Sequence, residues 1–388
     1  VDTFAGSFDD YPSSAHFNDS EDYVEYTEDI YVGYRYFETI PGAARKVNYP
    51  FGFGLSYTQF AIDQIRGEEK DGMIRLSACV TNVGERAGKE VVQVYAQAPQ
   101  GKLGKPARTL VSFVKTRLLA PGETQTVFLS FAVDFLASYD DLGKVAKSAY
   151  VCEAGGYRFH LGNSVRDTVE VPFVHTEPAD RVVQQLTQRV APVALPERML
   201  ADGSYEALPV TPGGEKDRNP AFVEGLQPHK GNWRDELACS TGKGEGAETP
   251  GRKFLLMDVV NGACTMDEFL AQLTNGQLID LLCGQPNTGV ANTFGMGNLP
   301  EYGVPNLMTA DGPAGVRIQP QMGVCTTAWP CATLLACTWN TQIVEQVGAA
   351  GALEMKENNL GVWLTPAMNI HRSPLCGRNF EYYSEDPL

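Results

Sequence analysis

The sequence is short of positive charge and contains no long apolar run. Its 388 residues carry 31 Lys and Arg against 47 Asp and Glu, which gives a formal net charge of -16. This acidity argues against nucleic acid or an anionic membrane as a partner. No apolar stretch approaches the roughly 18 residues that a membrane-spanning helix needs. The sequence therefore predicts neither nucleic-acid binding nor membrane insertion.

Cysteine patterns typical of disulfide frameworks or zinc sites are also missing. The nine cysteines are odd in number, and none of them form a C-x-x-C pair. We interpret them as reduced, mostly buried thiols of a cytoplasmic protein.

The length and the hydrophobic content of 43% allow two or three domains with a sizeable core. The clearest of these is all-β. Short apolar runs recur at the spacing of a β-sandwich, separated by turn signals such as Lys70-Asp-Gly72 and Pro121-Gly122. The predicted strands are 61–65, 74–80, 90–96, 111–114, 125–131, 149–152 and 157–161.

The regions on either side of these strands give weaker signals. Alternating aromatics over 29–37 predict a strand. Residues 176–252 are rich in Pro, Gly and charge, which predicts an extended linker with a possible helix at 180–189. Beyond the linker, Thr265 and Thr274 begin capping boxes of two helices. Asn340 is predicted to cap a helix that extends to about residue 360.

Two short strands near the C-terminus each run into a polar turn. One ends at Asp311, before Gly312 and Pro313, and the other spans 361–366 and leads into the charged stretch 369–387. Strand, helix and strand in succession predict parallel pairing, and α/β enzymes carry functional groups at such strand ends. A structural interpretation stays open beside this one. Asp311 could be a turn former, and Arg378 could pair with Glu381 or Glu385.

Several motifs in these segments resemble glycoside hydrolase family 3, and specifically the start of its catalytic (β/α)8 barrel in the β-glucosidase branch. The resemblance covers roughly residues 273–388. It is carried by Asp311-Gly-Pro-Ala-Gly-Val-Arg317, Thr327-Ala-Trp-Pro330, Leu334-Leu-Ala-Cys-Thr-Trp-Asn340, Asn369-Ile-His-Arg-Ser-Pro374 and Gly377-Arg-Asn-Phe-Glu-Tyr-Tyr-Ser-Glu-Asp-Pro387.

The resemblance also implies the domain order. Tyr49-Pro-Phe-Gly-Phe-Gly-Leu-Ser-Tyr57 is similar to the end of the family's α/β-sandwich domain, which here precedes the other domains. This order resembles the circularly permuted branch of the family. The fold class is multidomain α/β plus all-β. We expect the end of an α/β-sandwich domain (1–57), a fibronectin type III-like β-sandwich (58–175), a linker (176–252) and the first part of a TIM-like barrel (253–388).

The family resemblance implies a retaining, exo-acting β-glucosidase that needs no metal or organic cofactor. Asp311 and Arg378 match residues that bind the terminal sugar, and Arg317 matches a further arginine at the rim of the sugar pocket. The expected substrate is a β-glucoside or a β-linked gluco-oligosaccharide. No catalytic residue is assigned in this chain, because it has no Ser-Asp-Trp motif and begins after the expected acid/base Glu. His371 is predicted to be a structural hydrogen bonder.

Two alternatives remain open at the level of sequence. One is a β-xylosidase or a broader exo-glycosidase, and the other is a non-catalytic carbohydrate-binding or interaction fragment. We expect the missing barrel and sandwich segments to lie on another chain or to be lost.

Overall fold

A computed structural model describes residues 1–17, 19–187, 195–209 and 253–388. These residues divide into two compact units. The first holds the described residues up to 209 together with 333–340 and 368–388, and the second holds 253–332 and 341–367. In the described part of the chain, no helix has the length and apolar character required to cross a membrane.

Strands dominate the described residues. The strands are β1 (Phe4–Ala5), β2 (Val47–Tyr49), β3 (Phe60–Lys70), β4 (Met73–Asn82), β5 (Val91–Gln97), β6 (Thr109–Lys115), β7 (Thr124–Ala132), β8 (Ser138–Asp140), β9 (Ala149–Cys152), β10 (Gly155–Gly162), β11 (Thr168–Glu177), β12 (Arg181–Gln185), β13 (Glu197–Met199), β14 (Tyr205–Ala207), β15 (Gly295–Leu299), β16 (Val304–Ala310) and β17 (Val362–Trp363). The α-helices are α1 (Tyr34–Phe37), α2 (Leu256–Val260), α3 (Met266–Ala271), α4 (Asn275–Leu282), α5 (Ala332–Cys337) and α6 (Thr341–Glu357). Short 3-10 turns add Phe8–Asp10, Pro12–His16, Ala43–Lys46, Val133–Leu136, Pro300–Tyr302, Pro320–Met322 and Asn379–Glu381.

The first unit is built around a β-sandwich. One sheet has the order β3-β4-β7 and the other has the order β11-β10-β5-β6. Alternate residues of β7 point inward, so that Leu129 and Phe131 are buried while Phe128 is exposed. Leu129 and Phe159 belong to the apolar core of this unit. Each predicted sandwich strand is present, and the structure adds β8, β11 and β12, which were not predicted.

Two local predictions in the first unit are wrong. Residues 34–37 form helix α1 because Tyr34 and Phe37, three apart, bury the same face, which is a helical spacing. Residues 181–185 form strand β12, which pairs with β9 through Val182 and Val151. That long-range pairing overrides the local helical preference. Residues 188 and 189 of the predicted helix, and most of the predicted linker, lie outside the described residues.

The second unit contains the predicted strand, helix and strand. β16 and β17 are parallel, with Thr309 opposite Val362 and Ala310 opposite Trp363. Helix α6 follows Asn340 as predicted and packs Met355 into a core with Met308. β15 pairs antiparallel with β16.

Both predicted capping boxes are confirmed in the second unit. Thr265 accepts a hydrogen bond from the Glu268 amide, and Glu268 accepts one from the Thr265 amide. Thr274 and Gln277 repeat the arrangement at the start of α4. These reciprocal bonds satisfy amides that a helix start leaves without intrahelical partners.

The cysteines are less buried than predicted. The eight described cysteines are all free, but only Cys152 and Cys264 are buried, whereas Cys325 and Cys337 are exposed. Burial raises the pKa of the Cys152 thiol to about 11, so that this thiol remains protonated at neutral pH.

Candidate sugar-binding residues

Asp311 lies at the carboxyl end of β16 in the second unit. Its amide donates to Asn292 Oδ1 at 3.0 Å, and its carbonyl accepts from the Arg317 amide at 2.9 Å. The turn is also tied to β17, because the Trp363 indole donates to the Gly312 carbonyl at 2.8 Å. The backbone that carries Asp311 is therefore held by several neighbouring segments.

Glycine is required in this turn. Gly312 has φ +117°, and a Cβ placed on it would lie 1.9 Å from the Gly315 carbonyl oxygen. Residues with a side chain rarely adopt this backbone conformation. The tight turn brings Arg317 back toward Asp311.

The side chains of Asp311 and Arg317 form an ion pair. Arg317 Nη1 lies 2.8 Å from Asp311 Oδ2. The Arg317 side chain is 60% exposed and that of Asp311 is 37% exposed. An exposed pair of this kind contributes little to stability. A carboxylate and a guanidinium side by side at a strand end present acceptors and donors to a ligand rich in hydroxyl groups.

Arg378 lies in the first unit. Its Nε and Nη2 donate to Glu381 Oε2 at 3.0 and 2.5 Å, and its side chain is 69% exposed. Of the two structural partners considered from sequence, Glu381 is the one observed. The structure thus brings Asp311 and Arg317 together in one unit and places Arg378 beside Glu381 in the other.

Glu385 is buried in the first unit and binds the N-terminal segment. Its carboxylate accepts from the Thr3 amide at 2.8 Å, the Thr3 hydroxyl at 2.6 Å and the Tyr34 amide at 2.8 Å. Burial, followed by the nearby Asp2 carboxylate, raises the pKa of Glu385 to about 7. These contacts indicate a structural role for Glu385.

Asp386 joins the same buried network. It accepts from the Tyr34 hydroxyl at 2.6 Å and pairs with Arg35 Nη2 at 3.0 Å. The Tyr34 hydroxyl in turn accepts from the Leu110 amide in β6. One phenol therefore links the C-terminal stretch to the sandwich.

His371 and Arg372 also face the N-terminal segment. His371 Nδ1 lies 2.7 Å from Asp2 Oδ1, in agreement with the predicted structural role. Arg372 forms an ion pair with the buried Glu28. The Arg372 guanidinium also lies 4.1 Å from the ring centroid of Tyr26. No sequence pattern indicates these partners, because more than 300 residues separate each pair.

Comparison with known proteins adds relatives for the whole chain. Residues 90–165 match the family model described as a fibronectin type III-like domain. The full chain is 52% identical over 413 residues to β-glucosidase A of Butyrivibrio fibrisolvens and covers 49% of it. It is 41% identical over 399 residues to a β-glucosidase of Ruminococcus albus and covers 39% of that protein.

A solved structure gives the same result. The crystal structure of a β-glucosidase from Paenibacillus barengoltzii matches all of this chain and 42% of its own length, at a TM-score of 0.77 and 39% identity. The chain thus spans about half the length of the curated relatives it matches, or less.

These matches confirm the predicted fold class, a fibronectin type III-like sandwich joined to part of a barrel. Because the relatives align along the whole chain, they share its order of segments. They are named β-glucosidases, so the β-xylosidase and non-catalytic alternatives are not favoured. The predicted domain boundaries remain a prediction.

Proposed function

We propose that the chain belongs to glycoside hydrolase family 3 and that the whole protein is a β-glucosidase that removes terminal non-reducing β-D-glucosyl residues. The observation that carries this proposal is the 52% identity, over the entire chain, to a protein named β-glucosidase A. The substrate is a β-glucoside or a β-linked gluco-oligosaccharide. A cytoplasmic location is also proposed, on the odd number of cysteines without disulfide-type spacing.

Asp311 is proposed to accept hydrogen bonds from hydroxyl groups of the terminal glucose. Its partly exposed carboxylate at a strand end supports this role. Bonds to a charged acceptor are short and directional, which fixes the orientation of the sugar. Arg317 holds the carboxylate in place and donates at the edge of the site, and Arg378 is a further proposed donor.

The reaction itself needs two carboxyl groups about 5 Å apart for retention of configuration. One protonates the leaving oxygen, and the other attacks the anomeric carbon. We expect both groups in the part of the relatives that this chain does not span, so that catalysis requires those segments as partners. Within this chain, Glu385 and Asp386 are committed to the buried network around Tyr34.

The direct test is hydrolysis of an aryl β-D-glucoside by the 388-residue chain, alone and after reconstitution with the segments that complete its relatives. The expected result is activity only in the reconstituted protein. An aryl β-D-xyloside is the comparison substrate, and it should be hydrolysed more slowly than the glucoside. Turnover by the chain alone would contradict the proposed location of the catalytic pair. An inactive but folded assembly would contradict the proposed function.

A further inference from the structure

A cavity in the first unit is separate from Asp311 and Arg317. It has a volume of about 270 Å³ and is lined by residues from the N-terminal segment, the sandwich and strands β13 and β14. This volume lies just below the usual range for drug-sized ligands, so that the cavity suits a smaller molecule.

Tyr31 offers the clearest sign that a ligand belongs there. Its side chain lines the cavity and is only 1% exposed, and its hydroxyl has no hydrogen-bond partner among the residues that the structure describes. A buried hydroxyl without a partner is costly. Burial raises the pKa of Tyr31 to about 12, so the phenol keeps its proton and can both donate and accept.

Space for a ligand next to this hydroxyl is provided by Gly104. A Cβ on Gly104 would lie 3.0 Å from Tyr31 Oη, and both residues line the cavity. Arg35 also lines it, and its buried Nε has no partner within the described part of the chain. The cavity thus holds two buried polar groups whose hydrogen-bonding capacity is not used.

Carboxylates lie on another side of the same cavity. Arg198 pairs with Asp141 at 2.9 Å, with Glu206 at 2.8 Å and with Asp29 at 3.5 Å. Lys144 also pairs with Glu206 at 2.6 Å. Among the described residues, the only cationic partner of Asp29 is Arg198 at 3.5 Å, so Asp29 keeps acceptor capacity. The acidic and basic side chains of the lining are equal in number. Three are acidic, and the three basic ones are Arg198, Arg35 and Lys105. This balance does not favour a strongly charged ligand.

Two partly exposed aromatic side chains, Phe135 and Tyr139, complete the lining. An aromatic surface beside carboxylate acceptors and buried donors suits a molecule that has both hydroxyl groups and an apolar face. We propose that this cavity binds a neutral polyhydroxylated molecule of monosaccharide size, with Tyr31 and Arg35 donating to it and Asp29 accepting from it.

The test is calorimetric titration of the 388-residue chain with D-glucose. We expect saturable binding with a dissociation constant of about 1 mM, as for a ligand of this size. Tyr31→Phe should weaken binding about fivefold, which corresponds to one lost hydrogen bond. The same substitution should leave the melting temperature of the free protein unchanged or higher, because it removes a buried hydroxyl without a partner. A tyrosine that only supported the structure would not weaken glucose binding while leaving the melting temperature unchanged or higher.

Three further variants define the site. Gly104→Leu should abolish binding by filling the cavity, while Tyr57→Phe, at a fully exposed tyrosine outside it, should have no effect. Asp311→Asn, which changes the proposed substrate site, should leave in place the glucose binding that depends on Tyr31 and Gly104. Loss of all glucose binding in Asp311→Asn would place the sugar in the second unit and overturn the cavity site while leaving the proposed function in place. Unchanged binding in both Tyr31→Phe and Gly104→Leu, or tighter binding of D-glucuronate than of D-glucose, would also overturn it.

Discussion

The charged residues of the motifs in the two units differ in burial. In the first unit, Glu28, Glu385 and Asp386 are buried and satisfied by partners from distant parts of the chain. In the second unit, Asp311 and Arg317 are partly exposed and pair with each other across a short turn. Buried charges are tolerated only when they are paired, so those of the first unit maintain the structure. The pair in the second unit costs little to rearrange and is available to a ligand.

The largest expected effect comes from breaking a buried ion pair in the first unit. Arg372→Met would leave the Glu28 carboxylate buried without its partner. We expect the free energy of unfolding of this unit to fall by about 3–5 kcal/mol, measured by urea denaturation. The matched control is Arg378→Met, since Arg378 also pairs with a glutamate but is 69% exposed, and its effect should stay below about 1 kcal/mol. Equal losses of unfolding free energy in the two variants would contradict the different roles assigned to Arg372 and Arg378.

Glu385 gives the first unit a specific pH dependence. Its pKa is raised from 4.5 to about 7, so the folded state binds more protons than the unfolded state between these values. The free energy of unfolding should therefore fall as pH rises from about 4.5 to 7. Glu385→Gln removes this contribution, and the difference between wild type and variant should change by about 3 kcal/mol across that range. A difference that does not depend on pH would show that the pKa of Glu385 is the same in the folded and unfolded states.

Gly33 tests how closely the C-terminal stretch packs on the N-terminal segment. Its φ is +56°, and a Cβ would lie 2.1 Å from the Glu385 carboxyl carbon. Gly42 has φ +82° with nothing within 4 Å of its Cβ position, which makes it the matched control. Gly42→Ala should cost about 1 kcal/mol for backbone strain alone. Gly33→Ala should cost about 2 kcal/mol more, from the added steric overlap, and equal melting temperatures would contradict this packing.

The smallest effect on stability is expected in the second unit. Arg317→Gln removes an exposed ion pair with Asp311, so the free energy of unfolding should change by less than about 0.5 kcal/mol. Thermal unfolding followed by circular dichroism would measure it. A loss of 2 kcal/mol or more would mean that this pair is structural, like those of the first unit.

Local patterns in the sequence predicted much of the fold. Alternation identified the sandwich strands because one face of each sheet is buried, as at Leu129 and Phe131 in β7. The capping boxes at Thr265 and Thr274 are also local signals. Helix α1 was missed because aromatic residues suit both strands and buried helix faces.

The candidate site was predictable only in part. Asp311 and Arg317 lie six residues apart on a tight glycine turn, so their contact has a local cause. The partners of His371, Arg372 and Glu385 come from the first 34 residues. Contacts across such a separation leave no periodic pattern, so the sequence could not identify the partners of these three residues.

The measurement that most directly tests the central claim is the kcat/KM of the reconstituted protein for an aryl β-D-glucoside with Asp311→Asn. The matched control is Asp267→Asn, at an exposed aspartate in the first turn of α3. The account predicts that Asp311→Asn lowers kcat/KM about 10- to 100-fold through weaker hydrogen bonds to the sugar, while its stability and the activity of Asp267→Asn stay unchanged. Equal activity of the two variants would contradict the role of Asp311 in binding the substrate.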